Sequence, residues 1–224
     1  MTEQGHLLVA ERVRVRLGWP DETRSGLYLG AIAPDAHRIA VHLNYRDLHF
    51  RSQRRVGYRL ADFLRNHLQP ALAEDDLQAR SFFTGWLTHI CADDVWRQRI
   101  RHDLPGLWQL MAEAGRLERM TLRQEFHDEA AWVDQQMYHQ DAGGIEDIRW
   151  HLEQATAQFT IPPLKTGEIN AWRQNVVLES LPPAYYGQQE PKYLTVQFVL
   201  DSLEQAEEEA VAMIEWEYSK MQAS

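Results

Sequence analysis

The sequence predicts an all-α protein that forms a single domain. Amphipathic helical periodicity runs along most of the 224 residues, and no internal repeat or shift in composition marks a domain boundary. The composition is typical of a globular chain, with 44% hydrophobic, 25% charged and 10% aromatic residues. We therefore expect six to eight helices in one domain that spans residues 1–224.

The first hundred residues contain four stretches that predict helices or buried apolar segments: 6–17, 25–33, 58–69 and 74–100. Gly18 and Pro20 end the first stretch, although the alternation at 13–16 would also suit a strand. Pro34 closes the second stretch and Pro70 the third, because proline cannot donate a helical hydrogen bond. The fourth stretch opens with an acidic turn, which favours a helix N-terminus.

The rest of the chain predicts helices over 104–140, 145–159 and 194–221. Gly115 breaks the first of these, and 141–144 predicts a turn before the second. Several prolines predict an irregular excursion with short helices over 161–193. The last helix is long, acidic and amphipathic, so its apolar face either packs on the domain or pairs with a second copy in a homodimer.

Charge and cysteine content narrow the function classes. The net charge of −10 and the pI of about 5.4 argue against nucleic acid or an anionic membrane as a partner. One cysteine, Cys91, cannot form an internal disulfide. Charged residues interrupt the apolar run near the N-terminus, so we expect neither a signal peptide nor a membrane anchor. The expectation is a soluble, cytoplasmic protein with no integral membrane association.

Two residues of the 74–100 stretch have the spacing of metal ligands. His89 and Asp93 are four residues apart, so a helix brings both side chains to one face. A neutral imidazole and a carboxylate are natural ligands for zinc or iron, and the surrounding residues are strongly apolar. The alternative is a helical ion pair at a partly exposed edge. Cys91 beside His89 is either a nucleophile or, as we favour, a buried structural thiol.

Three further residues are candidate ligands. Asp35 follows Pro34 at the end of an apolar segment, where it either bridges cations or caps the next helix. His49 stands between Leu48 and Phe50, and is either a core histidine or a ligand. His6 opens the first helix.

Four segments that carry these residues stand in a recognisable order: GHLLVA (5–10), GAIAPD (30–35), HF (49–50) and GWLTHICAD (85–93). This order resembles the zinc-dependent phospholipase C and single-strand nuclease superfamily, especially its bacterial zinc-dependent phospholipase C-like branch. The resemblance implies an all-α fold around a central metal-bearing helix. It also implies that His49, His89 and Asp93 hold one cation, while His6 and Asp35 contribute to a second one.

The sequence departs from the secreted members of that superfamily. It begins Met1–Thr2 instead of with a tryptophan, and Arg99 stands where those members have a further histidine. The residues available for a third zinc are His102, Glu125, His127, Asp128, His139 and His151, but their spacing selects none of them. We therefore expect one or two divalent cations, zinc before iron or manganese.

The expected reaction is hydrolysis of a phosphate ester by a metal-activated water. Asp35 would orient or deprotonate that water, and Arg51, Arg54 or Arg55 would hold a phosphoryl oxygen. The negative net charge favours a small phosphorylated substrate. Two alternatives remain: a non-catalytic metal-binding or interaction protein with a vestigial site, and an HD-type phosphohydrolase that uses the His102–Asp103 or His127–Asp128 pair.

Overall fold

The computed structural model describes residues 1–40, 42–50, 60–74, 76–140, 142–181 and 191–222. These residues form helices and connecting turns, with no β-strand among them, which confirms the all-α prediction. Eight α-helices of nine or more residues lie in the described part of the chain, in agreement with the expected six to eight.

The α-helices are numbered along the chain as follows: α1 Glu3–Arg16, α2 Arg24–Ile32, α3 Tyr45–Leu48, α4 Leu60–Phe63, α5 Gln69–Ala73, α6 Leu77–Asp103, α7 Pro105–Glu113, α8 Arg116–Gln140, α9 Ala142–Gln154, α10 Thr166–Asn175 and α11 Val196–Gln222. Shorter 3-10 turns occur at Asp21–Thr23 and Ala33–Arg38, and π-helical turns at Leu64–Leu68 and Val176–Ser180.

Side-chain caps fix where the helices that carry the candidate ligands begin. The Thr2 hydroxyl accepts a hydrogen bond from the Gly5 amide at 3.2 Å, which caps α1. Asp76 caps α6 through the amides of Gln78 and Ala79, so this helix begins a few residues later than the acidic turn suggested.

Pro70 does not end a helix, and that prediction was wrong. The backbone stays helical from α4 through the π-helical turn at Leu64–Leu68 into α5, where Pro70 lies in the first turn. Proline is tolerated there because its missing amide hydrogen would have no partner in the new helix.

Two other segments are more helical than the sequence suggested. The predicted turn at 141–144 was wrong from residue 142 onward, because α9 already begins at Ala142. The excursion expected at 161–193 contains α10 and the π-helical turn Val176–Ser180, while residues 182–190 lie outside the described residues.

The long helix α6 lies at the centre and packs against α1, α2 and α11. It meets α2 at two glycines. A Cβ on Gly30 would collide with the Phe82 carbonyl, and a Cβ on Gly85 would collide with the Leu27 carbonyl. Because neither residue has a side chain, the two backbones approach unusually closely.

Helix α11 uses its apolar face inside the domain. Phe198, Leu203 and Ile214 on that face are buried, and the helix packs against α1, α6 and α8. Of the two alternatives for this face, the structure therefore shows packing on the domain. None of the helices in the described ranges combines the length and the apolar character needed to cross a membrane.

Candidate metal centre

The fold brings the five sequence-predicted ligands together from four separate elements. His6 lies in the first turns of α1, Asp35 in the 3-10 turn Ala33–Arg38, His49 directly after α3, and His89 with Asp93 in α6. In the described part of the chain, two groups of side chains offer ligand atoms within 4.8 Å of one another: His6, His89 and Asp93, and Asp35, His37 and His49.

The two groups meet at His49 and His89, whose Nε2 atoms are 3.0 Å apart. Each ring is fixed at its other nitrogen. His89 Nδ1 donates to the Ala31 carbonyl at 2.7 Å, and His49 Nδ1 donates to the Tyr45 carbonyl at 2.9 Å. Since a carbonyl can only accept, both Nδ1 atoms carry hydrogen, and in the neutral rings both Nε2 atoms present lone pairs.

His6 supplies two buried nitrogen atoms that lack a hydrogen-bond partner within the described residues. Its ring stacks on His89 with the centroids 3.7 Å apart, and its Nε2 lies 3.7 Å from Asp93 Oδ1. Burial is the main reason that the pKa of His6 falls well below its ordinary value. A neutral, fully buried imidazole without a partner is costly, so this ring needs a ligand that the described side chains do not supply.

Two carboxylates face the imidazoles. Asp35 Oδ1 lies 3.4 Å from His49 Nε2, and Asp93 Oδ2 lies 3.7 Å from the same atom. Burial by itself would raise the pKa of Asp35, but the charged groups around it, among them the Arg38 guanidinium at 3.2 Å, hold that pKa well below the ordinary value.

Asp93 is also ionised in this surrounding. Burial would raise its pKa, but the charges around it, of which the amino group of Met1, 3.6 Å from Oδ1, has the largest effect, lower that pKa overall. The candidate centre therefore combines three imidazoles with two carboxylates that carry charge at neutral pH. Neutral nitrogen and anionic oxygen atoms form the donor set that zinc and other divalent transition metals prefer.

The local sequence explains how these groups reach one place. Pro34 ends α2, so that the chain turns and presents Asp35. The close crossing at Gly30 and Gly85 puts the Ala31 carbonyl against His89. The helical spacing of His89 and Asp93 then directs both side chains to the same side of α6.

Sequence reasoning missed three residues at the centre. Tyr45 donates its hydroxyl to Asp93 Oδ2 at 2.9 Å. His37 Nδ1 donates to the Pro34 carbonyl at 3.1 Å and lies 3.8 Å from Asp35. Arg38 bridges Asp35, at 3.2 Å, and Glu3. Tyr45 stands four residues before His49, and His37 stands two residues after Asp35. Such spacings are too common to identify either residue from the sequence.

The arginines predicted to hold a phosphoryl oxygen, Arg51, Arg54 and Arg55, lie outside the described residues. The His102–Asp103 and His127–Asp128 pairs are exposed on α6 and α8, and neither pair belongs to either ligand group. Their carboxylates accept hydrogen bonds from Arg99 and Gln124 on their own helices, which is typical of a solvated helix face. The side chain of His139 is not among those described.

The remaining candidates lie apart from the centre. His151 Nε2 is 3.2 Å from an Arg24 guanidinium nitrogen and 3.8 Å from Asp147. Cys91 is buried with its sulfur 3.9 Å from that of Met213, and burial raises the pKa of its thiol. A thiol that is buried and protonated is a poor nucleophile, in keeping with a structural role.

Comparisons with known proteins add no family to this description, since no family model, curated protein or solved structure matches the chain. The function must therefore be inferred from the chemistry of the centre itself.

Proposed function

We propose that this protein is a metal-dependent hydrolase that acts on a phosphate ester. The observation that carries the metal-binding part is the 3.0 Å separation between His49 Nε2 and His89 Nε2, with both Nδ1 atoms tied to carbonyl groups. Two lone pairs that face each other at this distance repel, unless a proton or a metal cation lies between them. The same pattern, with the outer nitrogen bonded to a carbonyl, is the usual arrangement of histidines that ligate metals.

The surrounding groups favour a metal over a shared proton. One proton would satisfy the His49–His89 pair and nothing else. A divalent cation would also use the charged Asp35 and Asp93 and one of the His6 nitrogens, which lack a hydrogen-bond partner within the described residues. We therefore assign His6, Asp35, His49, His89 and Asp93 as the groups that hold one or two divalent cations, with zinc as the first candidate.

A phosphate ester is the substrate class that best suits this centre. A bound divalent cation supplies Lewis acidity, which makes a water molecule more acidic and offsets the charge of a phosphoryl group. The residues of this chain would do the rest. The ionised Asp35 would accept a hydrogen bond from the attacking water and orient it, and the partly exposed Arg38 would offer its positive charge to a phosphoryl oxygen. The resemblance of the four ordered segments to the phospholipase C-like branch supports the same reaction class.

The test measures metal content and turnover on the same preparation. Protein purified without chelator is analysed for zinc, iron and manganese, and is then assayed with a generic phosphomonoester and a generic phosphodiester. We expect bound metal and metal-dependent turnover, which Asp35→Asn lowers by about 100-fold or more. Asp103→Asn and Asp128→Asn are the matched controls, because both carboxylates are exposed and belong to neither ligand group.

Each other outcome points to a different function. Loss of turnover in Asp103→Asn or Asp128→Asn, with Asp35→Asn unaffected, would favour the HD-type phosphohydrolase. Bound metal without turnover would favour a structural metal site, a candidate that the nearly complete burial of His6, His49 and His89 supports. Protein that binds no metal would contradict the proposal.

A further inference from the structure

We propose that Tyr45 is a positioning residue of the metal centre. It holds one ligand from each of the two groups, Asp93 and His49, in the orientation that binds the metal. The inference rests on the metal-binding part of the proposed function and assigns a role to a residue that does not itself ligate. The contacts of its hydroxyl, of its carbonyl and of its ring support this inference.

The first contact fixes Asp93. The Tyr45 hydroxyl donates to Asp93 Oδ2 at 2.9 Å. Asp93 is one of the more exposed ligands, with 14% of its side chain accessible, and its Oδ1 faces His6 while Oδ2 faces His49. Because the hydroxyl bonds Oδ2, it holds the carboxylate in the rotation that leaves Oδ1 directed at His6.

The second and third contacts fix His49. The Tyr45 carbonyl accepts from both the backbone amide of His49, at 3.0 Å, and its Nδ1, at 2.9 Å. The two rings also lie against each other, with centroids 3.8 Å apart and planes tilted by 34°. The carbonyl sets the tautomer of His49, and the ring contact sets the direction in which Nε2 points.

The position of Tyr45 in the chain makes this double role possible. It begins the one-turn helix α3, which Asn44 caps through the Arg46 amide at 2.9 Å. His49 follows one turn later, while Asp93 comes from α6. A single side chain thus connects the segment that carries Asp35 and His49 to the helix that carries His89 and Asp93.

Substituting Tyr45 by phenylalanine tests the inference, because it removes the hydroxyl and keeps the ring on His49. The affinity for zinc is measured by competition with a chromophoric chelator, and the thermal unfolding of the metal-free protein is measured beside it. Loss of a group that orients a ligand typically weakens metal binding by about 10- to 100-fold. We expect Tyr45→Phe to weaken zinc binding by that factor.

The matched control is Tyr28→Phe. Tyr28 is also buried near α6 and also donates its hydroxyl to a carboxylate, Glu11, at 2.8 Å, but it lies outside both ligand groups. The Tyr28→Phe substitution should lower the stability of the metal-free protein and leave its affinity for zinc unchanged. If the role of Tyr45 were only structural, Tyr45→Phe would likewise lower stability and leave the affinity for zinc unchanged.

The outcomes separate the inference from the proposed function. If the wild-type protein binds zinc and Tyr45→Phe binds it equally well, Tyr45 is not a positioning residue, while the metal-binding proposal stands. If the wild-type protein binds no zinc, iron or manganese, both are overturned.

Discussion

The Ala31 carbonyl on α2 accepts a hydrogen bond from His89 Nδ1 on α6 at 2.7 Å, and this bond joins the close crossing of α2 and α6 to the candidate metal centre. Gly30 precedes Ala31, and Gly85 lies one helical turn before His89. Packing at the crossing and ligand geometry therefore depend on each other, because a shift of either helix moves the imidazole.

Enlarging Gly85 should destabilise the protein and disturb the centre. The Cβ of Gly85→Ala would collide with the Leu27 carbonyl, and a backbone atom cannot move aside as a flexible side chain can. Overpacking of this kind costs about 1–3 kcal/mol or more of unfolding free energy. Urea unfolding of the metal-free protein at 25 °C measures it.

Gly167→Ala is the control for this prediction. Gly167 lies in α10, and nothing stands within 4 Å of the Cβ that alanine would add. Alanine at such a helical position is expected to be neutral or to stabilise by up to about 1 kcal/mol. Equal effects of the two substitutions would contradict the role given to the α2–α6 crossing.

Zinc should stabilise the folded protein if the centre binds it. A ligand that binds only the folded state adds about 2.7 kcal/mol when its free concentration is 100 times its dissociation constant. We expect the melting temperature to rise with zinc and to fall again with a chelator. His89→Gln should abolish the response, whereas the exposed His127→Gln should keep it. A response that persists in His89→Gln would place the zinc elsewhere.

Asp134 on α8 should make the protein less stable as the pH rises. Burial raises its pKa to about 7, against a hydrogen bond from Thr2 that lowers it. The folded state therefore binds this proton more tightly than the unfolded state does. The resulting stabilisation is complete below about pH 4 and is lost as the pH rises through about 7.

Asp134→Asn isolates this effect, because asparagine is uncharged throughout. The unfolding free energy of the variant, relative to that of the wild-type protein, should be higher at pH 8 than at pH 5, as measured by urea titration at several pH values. The exposed Asp128→Asn, on the same helix, is the matched control for the loss of one carboxylate. A gain at pH 8 that is no larger than the gain at pH 5 would contradict the prediction.

Cys91 should not react with thiol reagents in the folded protein. Its side chain is buried against Met213, and burial raises the pKa of the thiol. The reactive species is the thiolate, so a disulfide reagent at pH 8 should modify Cys91 only after denaturant is added. Rapid modification under native conditions would instead restore the nucleophile interpretation.

Periodicity and breaker residues predicted most of this fold from the sequence. The break near Gly115 and the long helix at the C-terminus correspond to the start of α8 and to α11. The prediction that Pro70 ends a helix was wrong because a proline can also occupy the first turn of the next helix. The sequence alone does not show whether the helical backbone continues through it. The approach of α2 to α6 was not predicted, since a glycine in a helix does not reveal which backbone lies opposite.

Residues of the centre were easiest to predict where a side chain that can bind a metal also stands in a recognisable local sequence. His89 and Asp93 have helical spacing on an apolar helix, and Asp35 follows Pro34, which ends the apolar helix α2. Tyr45 has neither signal, because its contribution comes from a carbonyl and a ring that meet His49 only after α3 forms. Contacts of this kind depend on tertiary structure.

If the centre holds a cation, the uneven burial of its candidate ligands has a kinetic consequence. Asp93 and His37, with 14% and 20% of their side chains accessible, are the members of the two described groups nearest to solvent, and the partly exposed Arg97 and Arg38 stand beside them. On the side of Asp93 and His37, which is the entrance to the centre, the accessible fractions are still small, so exchange of a cation should be slow. The release rate should then follow the local opening of this entrance and become independent of chelator concentration. A fully loaded sample would exchange its metal over hours or longer even where the equilibrium favours removal.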